Sequence, residues 1–329
     1  MGGAGREGRL GTLRVSEGEC AGRIGGAPLG RGAHPKRRGC APYNSEPGSN
    51  LRGVFWLLSA SENAVRMGGM ESGGATFFLP ALSLWRREMV RFVRQRDRVV
   101  GALVTPVVFW LLLGAGLGRS FQAGGSGGYL EYFFTGALVM ILLFTAIFST
   151  ISVIEDRREG FLQGVLVAPV GRVGIVMGKL LGGASLAMGQ GGLFLVVARQ
   201  VDVPLSLAGL PWLLLAMALV SFALTGLGFV LAWQLNSTQG FHALMNLFLM
   251  PMWLLSGALF PASGAQPWLA WVMKFNPLTY GVTAIRQGLY WQQPVPQAGV
   301  ALGVTAGFVA LMVGLALWAA RRTTAGDLQ

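Results

Sequence analysis

The stretch PMWLLSGALFPASGAQPWLAWVMKFNPLTYGVTAIRQGLYW, residues 251–291, decides the fold, because it is too apolar and too aromatic for an ordinary connecting loop. Three prolines divide it: Pro261, Pro267 and Pro277. No single straight helix can therefore run through it. Trp268, Trp271 and Phe275 stand at i, i+3 and i+7, the spacing of one helix face. The pattern predicts two short helices that dip into one membrane surface and are separated near Asn276.

The composition indicates a membrane protein. The chain has 329 residues, of which 53% are hydrophobic and only 12% are charged, whereas soluble domains carry roughly 25% charged residues. The mean hydropathy is +0.54, and the apolar runs are long enough to cross a bilayer as helices. The predicted fold class is therefore an all-α, polytopic membrane protein.

The net charge of +12 could indicate a nucleic-acid-binding protein. The basic residues flank the apolar runs, however, and form no separate basic domain. This distribution favours charges that set membrane topology.

Cysteine and histidine are too scarce to predict a metal or disulfide site. The two cysteines are Cys20 and Cys40, and the two histidines are His34 and His242. The chain has no HExxH motif and no paired acidic residues within an apolar run. We therefore predict no catalytic, metal or cofactor site in this chain.

Four regions follow from the composition. Residues 1–69 are rich in Gly, Arg and Pro, which predicts either disorder or an extension from a misassigned start codon, with Met67 or Met70 as the true start. Residues 70–98 are basic and amphipathic, which predicts an interfacial helix with its arginines toward anionic headgroups; a plain topogenic segment is the alternative. Residues 99–322 form the membrane domain, and residues 323–329 a cytoplasmic tail.

Six apolar spans are predicted in the membrane domain. They are Val99–Gly118, Phe133–Ile154, Ile175–Ala198, Leu207–Trp233, Phe241–Phe260 with an interruption at Pro251, and Gly299–Ala320. Glycines spaced i, i+4, such as Gly178 and Gly182, predict close helix packing. The aromatic residues at the start of the second span, Tyr129, Tyr132, Phe133 and Phe134, are typical of an interfacial belt.

The lysines and arginines predict the orientation. From residue 70 onward there are sixteen, and placing the amino terminus inside leaves twelve inside and four outside. Both termini are therefore predicted to be cytoplasmic, and residues 251–291 are predicted to face outward between the fifth and sixth spans.

The segment 155–179, EDRREGFLQGVLVAPVGRVGIVMGK, is the most distinctive cytoplasmic loop. Charges of both signs precede Phe161 and Leu166, which are spaced to form the buried face of a short helix. Such a helix lies either on its own bundle or in a groove of a partner, and composition leaves both alternatives open.

Two motifs give the chain a family resemblance. The loop has E-x-R-x-E-G, then A-P and G-K, and the later stretch has P-x-W-L-L-S-G, F-P, P-W-L, N-P-L-T-Y and A-I-R. In this order they resemble the permeases of ABC-2 type transporters, above all the drug-resistance and nodulation-factor exporters. The resemblance covers roughly residues 80–322. One departure is Phe161 and Gln163, where relatives commonly have Thr and Glu.

The resemblance implies a coupling helix that contacts a separate ABC ATPase. The implied contact residues are Glu155, Asp156, Arg157, Glu159, Phe161, Leu166 and Pro169. The chain has no Walker A motif, because Gly178-Lys179 is followed by leucine, so ATP is expected on the partner subunit. Two permease copies, most simply a homodimer, would enclose the pathway.

The external stretch is predicted to form a gate or cap. Its residues are Trp268, Trp271, Asn276, Pro277, Tyr280 and Arg286, with the tryptophans at headgroup level and Arg286 snorkelling outward. Candidate pathway residues are His242, Asn246 and Ser256, for which packing hydrogen bonds are the alternative.

The expected function is export of a drug, lipid or glycan across a prokaryotic plasma membrane. A motor-independent channel or secondary transporter, and a scaffold that transports nothing, remain the alternatives. The absence of a carboxylate in the middle of an apolar span counts against a proton-driven transporter.

Overall fold

A computed structural model describes residues 75–118, 128–162, 164, 171–201, 203–293 and 295–322. Within these ranges all regular structure is helical. The helices are α1 (Ala75–Arg94), α2 (Arg96–Leu117), α3 (Tyr129–Arg158), α4 (Arg172–Leu195), α5 (Leu210–Gln234), α6 (Thr238–Trp253), α7 (Pro267–Phe275), α8 (Pro277–Leu289) and α9 (Ala298–Arg322). A 3₁₀ turn, Val196–Val201, extends α4, and a π turn, Leu254–Ala258, extends α6.

Six helices are long and apolar enough to cross a membrane, which confirms the predicted number. They are α2, α3, α4 with its 3₁₀ turn, α5, α6 with its π turn, and α9. The chain is thus an all-helical, multi-pass membrane protein. Residues 1–69, Met67, Met70 and the tail 323–329 lie outside the described residues, so the predictions for them stay predictions.

Helix α3 is the centre of the bundle. In its apolar window 89% of residues are buried, against 22% in each of α2 and α9. It packs against α2, α4 and α5. With 30 residues it is about 45 Å long at 1.5 Å per residue, so one straight element joins the two ends of the bundle.

The aromatic residues at the start of α3 belong to this core. Tyr129 is 2% exposed, and Phe133 and Phe134 are fully buried. Phe134 stacks on Phe194 of α4 with ring centroids 4.7 Å apart. These three side chains therefore pack inside the bundle, and their place at the membrane interface stays a prediction.

Helix α1 packs along α4 at two glycines. A Cβ at Gly178 would lie 2.8 Å from the Ala81 carbonyl oxygen, and a Cβ at Gly182 would lie 2.8 Å from Glu88 Cβ. The predicted role of these glycines in close packing is therefore confirmed. The opposite face of α1 is apolar and exposed, with Phe78, Leu82 and Val93 each more than half accessible.

The fifth span, α6 with its π turn, breaks later than predicted. Helix α6 continues through Pro251 to Trp253, and the chain leaves helical geometry at Gly257, where φ is +78° and ψ is 10°. The predicted interruption at Pro251 is thus wrong, since a helix in an apolar bundle can continue through one proline when its neighbours pack against it.

The predicted pair of short helices in the 251–291 stretch is present. Pro267 and Pro277 each begin a helix, α7 and α8, as suits a residue without a backbone N–H. Asn276 separates them and caps α8, since its Oδ1 accepts from the Leu278 N–H at 3.0 Å. Trp268, Trp271 and Phe275 are exposed on one face of α7. Whether these helices are re-entrant stays a prediction.

Candidate functional site

The bundle has two ends of different chemistry. At one end α1, the last turn of α3 and the first half of α4 meet through charged side chains. We call it the charged end. At the opposite end the start of α3 meets α8 and the break of α6.

The charged end holds a cluster of seven ionised side chains. Its members are Arg87, Glu88 and Arg91 of α1, Arg98 of α2, Glu155 and Asp156 of α3, and Lys179 of α4. We call this set the ion cluster. It brings together residues separated by up to 91 positions in sequence, and it lies where the longest helix ends.

Asp156 is the centre of the ion cluster, and its side chain is fully buried. Arg87 binds it with both terminal nitrogens, at 3.0 and 2.7 Å, in a bidentate pair. Arg91 Nη1 donates to Asp156 Oδ1 at 2.6 Å, and Lys179 Nζ also donates to this carboxylate. Three cations therefore neutralise one buried carboxylate.

Lys179 and Glu88 form the second buried pair. Lys179 Nζ lies 2.7 Å from Glu88 Oε1, and each side chain is 5% exposed. Lys179 also donates to Ser152 Oγ at 3.1 Å, which satisfies its third proton. Buried ions need such complete pairing, because removing one partner leaves an uncompensated charge.

Arg91 and Arg98 close the cluster at its rim. Arg91 Nη2 donates to Glu155 Oε2 at 2.8 Å, and Arg98 donates to the same carboxylate. Burial alone lowers the pKa of Arg91, but the carboxylates of Asp156, Glu155 and Glu88 outweigh it, so its pKa lies above the ordinary value. Arg91 therefore stays charged at every physiological pH.

These pairs change the predicted role of the arginines in residues 70–98. Arg87, Arg91 and Arg98 turn toward α3 and not toward headgroups. That part of the prediction is wrong, because two carboxylates at the end of α3 attract them more strongly than solvent does. Arg86 and Arg94 remain exposed on α1.

The predicted coupling residues fall into two groups. The Glu155 and Asp156 carboxylates are engaged inside the chain. Arg157 donates to Asn236 Oδ1 at 2.8 Å and to the Trp233 carbonyl, which ties the end of α3 to the α5–α6 connection. The Glu159 side chain is 50% exposed, although its Oε1 lies 3.8 Å from Arg91 Nη2 in a long ion pair.

The chain turns sharply after α3. Gly160 has a φ of +71°, a conformation that suits glycine. Phe161 then lies beneath the Arg87 guanidinium, whose carbon is 3.8 Å from the ring centroid. Leu166 and Pro169 lie outside the described residues. The assignment of all seven residues to an ATPase contact stays a prediction.

At the opposite end, side chains bind the carbonyls freed by the break of α6. Asn276 Nδ2 donates to the Met252 carbonyl at 2.5 Å. The Thr279 hydroxyl donates its one proton to the Met273 carbonyl at 2.8 Å, and the Leu255 carbonyl lies 3.4 Å from it. Tyr129 donates to the Leu259 carbonyl at 3.1 Å. Backbone groups inside an apolar bundle need such partners, since unpaired carbonyls there are costly.

Two further donors share a single carbonyl. The Tyr132 hydroxyl donates to the Gly257 oxygen at 2.9 Å, and Arg286 Nη2 donates to it at 3.2 Å. The Arg286 guanidinium also lies over the Tyr132 ring at 4.6 Å. The prediction that Arg286 snorkels outward is therefore wrong, because it points into the break.

Two tyrosines of α8 and its C-terminal end bind backbone carbonyls; Tyr280 is a predicted gate residue and Tyr290 is not. The Tyr280 hydroxyl donates to the Lys274 carbonyl at 2.9 Å and so joins α8 to α7. Tyr290 donates to the Glu131 carbonyl at 3.1 Å, and burial raises the pKa of this phenol, so the donor persists at high pH. A gating role for this region stays a prediction.

The predicted pathway residues do not share one environment. His242 and Asn246 are exposed on one face of α6. Ser256 is 1% exposed, and its hydroxyl donates to the Trp253 carbonyl at 2.6 Å within the same segment. Ser256 therefore acts in packing in this structure. No group of three or more His, Cys, Asp or Glu side chains suited to a metal ion occurs among the described residues.

A sequence model of the ABC-2 type transporter family matches residues 81–290, the stretch that contains the ion cluster and the break of α6. The chain belongs to the ABC-2 type transporter family. The match begins in α1 and ends just after α8. The family assignment predicted from the two motifs is thereby confirmed.

Named relatives agree with this assignment. Nodulation protein J of Rhizobium leguminosarum bv. viciae is 27% identical over 231 residues, which is 68% of this chain and 86% of the relative. The putative transport permease ycf38 of Cyanophora paradoxa is 26% identical, covering 64% of this chain and 74% of the relative. The inner membrane transport permease YhhJ of Escherichia coli is 28% identical over a shorter region, 42% of this chain and 37% of the relative. This chain is thus similar to membrane permeases.

Sequence reasoning missed three of the residues at these sites. Glu88 is a single acid in a basic helix, and the sequence places Lys179 only in the G-K motif and among the basic residues that set topology. Tyr132 was one of four aromatic residues. One signal in the sequence was the position of Glu88 on the apolar face of α1. Ala81, Leu84 and Phe92 lie on the same face and are buried. An acid on such a face predicts a buried partner of opposite charge.

Proposed function

We propose that this chain is the membrane-spanning subunit of an ATP-driven exporter, with a separate ABC ATPase docked at the charged end. The substrate class would be a drug, lipid or glycan. The observation that carries the proposal is the buried ion cluster. It joins α1, α3 and α4 directly beside Glu159 and the turn at Gly160, the exposed part of the segment assigned to coupling.

The ion cluster gives the ATPase a rigid element to move. Since Asp156 is held by three cations from two other helices, α1, α3 and α4 would shift together at this end. Closure of the ATPase pair would then act on α3 as on a lever. Helix α3 reaches the opposite end, where Tyr129 and Tyr132 bind the break of α6.

The burial of the proposed coupling residues supports a narrower set of ATPase contacts. Glu155, Asp156 and Arg157 bind other parts of this chain and so fix the end of α3. Glu159, with half of its side chain accessible, and the turn that follows are left to contact the partner. Phe161 would lie between the two functions, under the Arg87 guanidinium.

A second copy of this chain would cover one face of α6. His242 and Asn246 are exposed there, and Pro251 cannot donate a backbone proton to the Leu247 carbonyl on the same face. Polar groups are costly against lipid tails. They are better accommodated at a homodimer interface or beside a polar pathway between two copies.

The proposed location is the plasma membrane, with both termini cytoplasmic. This orientation puts the ion cluster and its flanking arginines inside, which agrees with twelve of sixteen basic residues on that side. The break of α6 and helices α7 and α8 then lie outside as a gate. ATP hydrolysis would belong to the partner, and this chain would hold no cofactor.

The test is co-purification of the full-length chain with an ABC ATPase encoded beside it. Glu159→Arg should reduce the recovered ATPase at least roughly tenfold, since a charge reversal at a contact creates repulsion. Arg94→Glu is the matched control, because Arg94 is an exposed charge on another face. Equal recovery with Glu159→Arg would contradict the docking assignment. Substrate flux through ATPase-free liposomes at the full rate would instead support a motor-independent transporter.

A further inference from the structure

Gly257 is the point at which the last turn of α6 changes direction. Its φ of +78° is a left-handed conformation, which other residues adopt only at a cost. Space is not the reason for the glycine, since a Cβ there would meet only Met273 Cε at 3.7 Å, an ordinary contact. The left-handed backbone conformation is therefore what requires glycine at this position.

The Gly257 carbonyl connects three parts of the bundle. It belongs to α6, and it accepts from Tyr132 of α3 and from Arg286 of α8. The guanidinium lies over the phenol ring, so each donor also holds the other in position. We call these residues, Tyr132, Gly257 and Arg286, the Gly257 latch.

The chemistry of the latch allows it to open. No salt bridge involves Arg286 in the part of the chain that the structure describes. Its bonds go to a neutral carbonyl and a ring, and releasing them leaves no carboxylate without a partner. The ion cluster at the other end contrasts with this, because opening it would strand buried charges.

We propose that Tyr132 and Arg286 are positioning residues that hold the hinge at Gly257 in its present conformation, and that the segment 254–260 swings about Gly257 when they release its carbonyl. The inference rests on the proposed function only in assigning this swing to the outward opening of the gate. The motion of α3 would trigger it, since Tyr132 lies on that helix.

The test is hydrogen exchange of residues 254–260 in the full-length chain, reconstituted in lipid nanodiscs without ATPase or nucleotide. Tyr132→Phe removes only the hydroxyl and should raise exchange in this segment about fivefold, the value expected for one hydrogen bond. Arg286→Gln should do the same, and Arg286→Lys should restore part of the protection by keeping a cationic donor. The double variant should show less than the sum of the two single effects, because both donors share one acceptor.

Tyr280→Phe is the matched control. It removes a hydroxyl of the same kind from α8, and that hydroxyl donates to the Lys274 carbonyl and not to Gly257. Exchange of residues 254–260 should stay unchanged in this variant. If Tyr132→Phe leaves this segment as protected as before, or raises exchange equally along α7 and α8, the latch assignment is wrong. Because no ATPase is present, failure of the proposed docking would not alter this result.

Discussion

Lys179 Nζ lies 2.7 Å from Glu88 Oε1, in an ion pair whose two side chains are each 5% exposed. The pair connects α1 to α4 at the level where α3 ends. An interfacial helix held only by its apolar face would slide along the bundle, whereas a buried ion pair fixes its register, as buried polar groups do in some coiled coils. The position of α1 is thus specified by charge as well as by packing.

Breaking the buried pair from one side should destabilise the protein strongly. Lys179→Met leaves Glu88 and Asp156 buried without their common partner, and it should lower the free energy of unfolding by about 3–5 kcal/mol. Thermal unfolding in detergent measures the change. The double variant Glu88→Gln, Lys179→Met should be milder than Lys179→Met alone, and Arg86→Gln, an exposed change on α1, should have little effect. A double variant as unstable as the single one would contradict the pairing.

The two faces of α4 should respond oppositely to the same substitution. Gly178→Ala places a Cβ 2.8 Å from the Ala81 carbonyl and should be destabilising. Gly189→Ala meets nothing within 4 Å and should be neutral or stabilising, by up to about 1 kcal/mol from helix propensity. The comparison is made by thermal unfolding of both variants. Equal effects would show that α1 does not lie against Gly178.

The exposed face of α6 should meet a second copy. In a chain whose Cys20 and Cys40 are replaced by serine, Asn246→Cys should give a cross-linked dimer with a short bismaleimide in native membranes. Met245→Cys is the control, because Met245 is 5% exposed and faces the bundle. A dimer from Met245→Cys alone, or from neither variant, would rule out this face as the contact. Electrophoresis without reduction gives the measurement.

The orientation can be tested at the exposed residue Gln266. A reporter that is active only outside the cytoplasm should be active when inserted after Gln266, since this position lies at the end opposite the ion cluster. The same reporter fused after Gln329 should be inactive. The reverse pattern would place the ion cluster outside and would exclude cytoplasmic docking of an ATPase there.

Removing the tryptophans of α7 should separate membrane contact from folding. Trp268 and Trp271 are 68% and 62% exposed, so Trp268→Ala with Trp271→Ala removes little packing inside the chain. Thermal unfolding in detergent should stay within about 1 kcal/mol of the parent. In vesicles, the exchange of α7 amides should rise, because the interfacial anchors are gone. An unfolding transition several kcal/mol weaker would show that these side chains are part of the core.

Local chemistry accounts for what the sequence predicted correctly. The spans follow from apolar length, and their number depends on no contact between them. Pro267 and Pro277 begin α7 and α8 because proline lacks a donor that the first turn does not use. The break of α6 was misplaced at Pro251, since the sequence does not show that a π turn carries the helix on to Gly257.

Long-range pairing accounts for what the sequence left open. Arg87 and Asp156 are 69 positions apart, and Tyr132 and Gly257 are 125 apart. A basic helix in isolation has its arginines in water or on headgroups, and only the approach of α3 provides the carboxylates that turn them inward. The sequence likewise shows no partner for Arg286, because its acceptor is the Gly257 carbonyl at the break of α6.

The sequence by itself determined that this chain is a six-span helical membrane protein, because apolar length and proline positions act within a single segment. Its resemblance to the ABC-2 type family rested on two motifs read in order. The tertiary structure alone decided that Asp156 and Glu88 are internal partners of α1 and α4, and that Arg286 holds the carbonyl of Gly257. Charges and freed carbonyls inside an apolar bundle must find partners wherever the packing provides them. Which partners those are depends on helices that meet only when the bundle is complete.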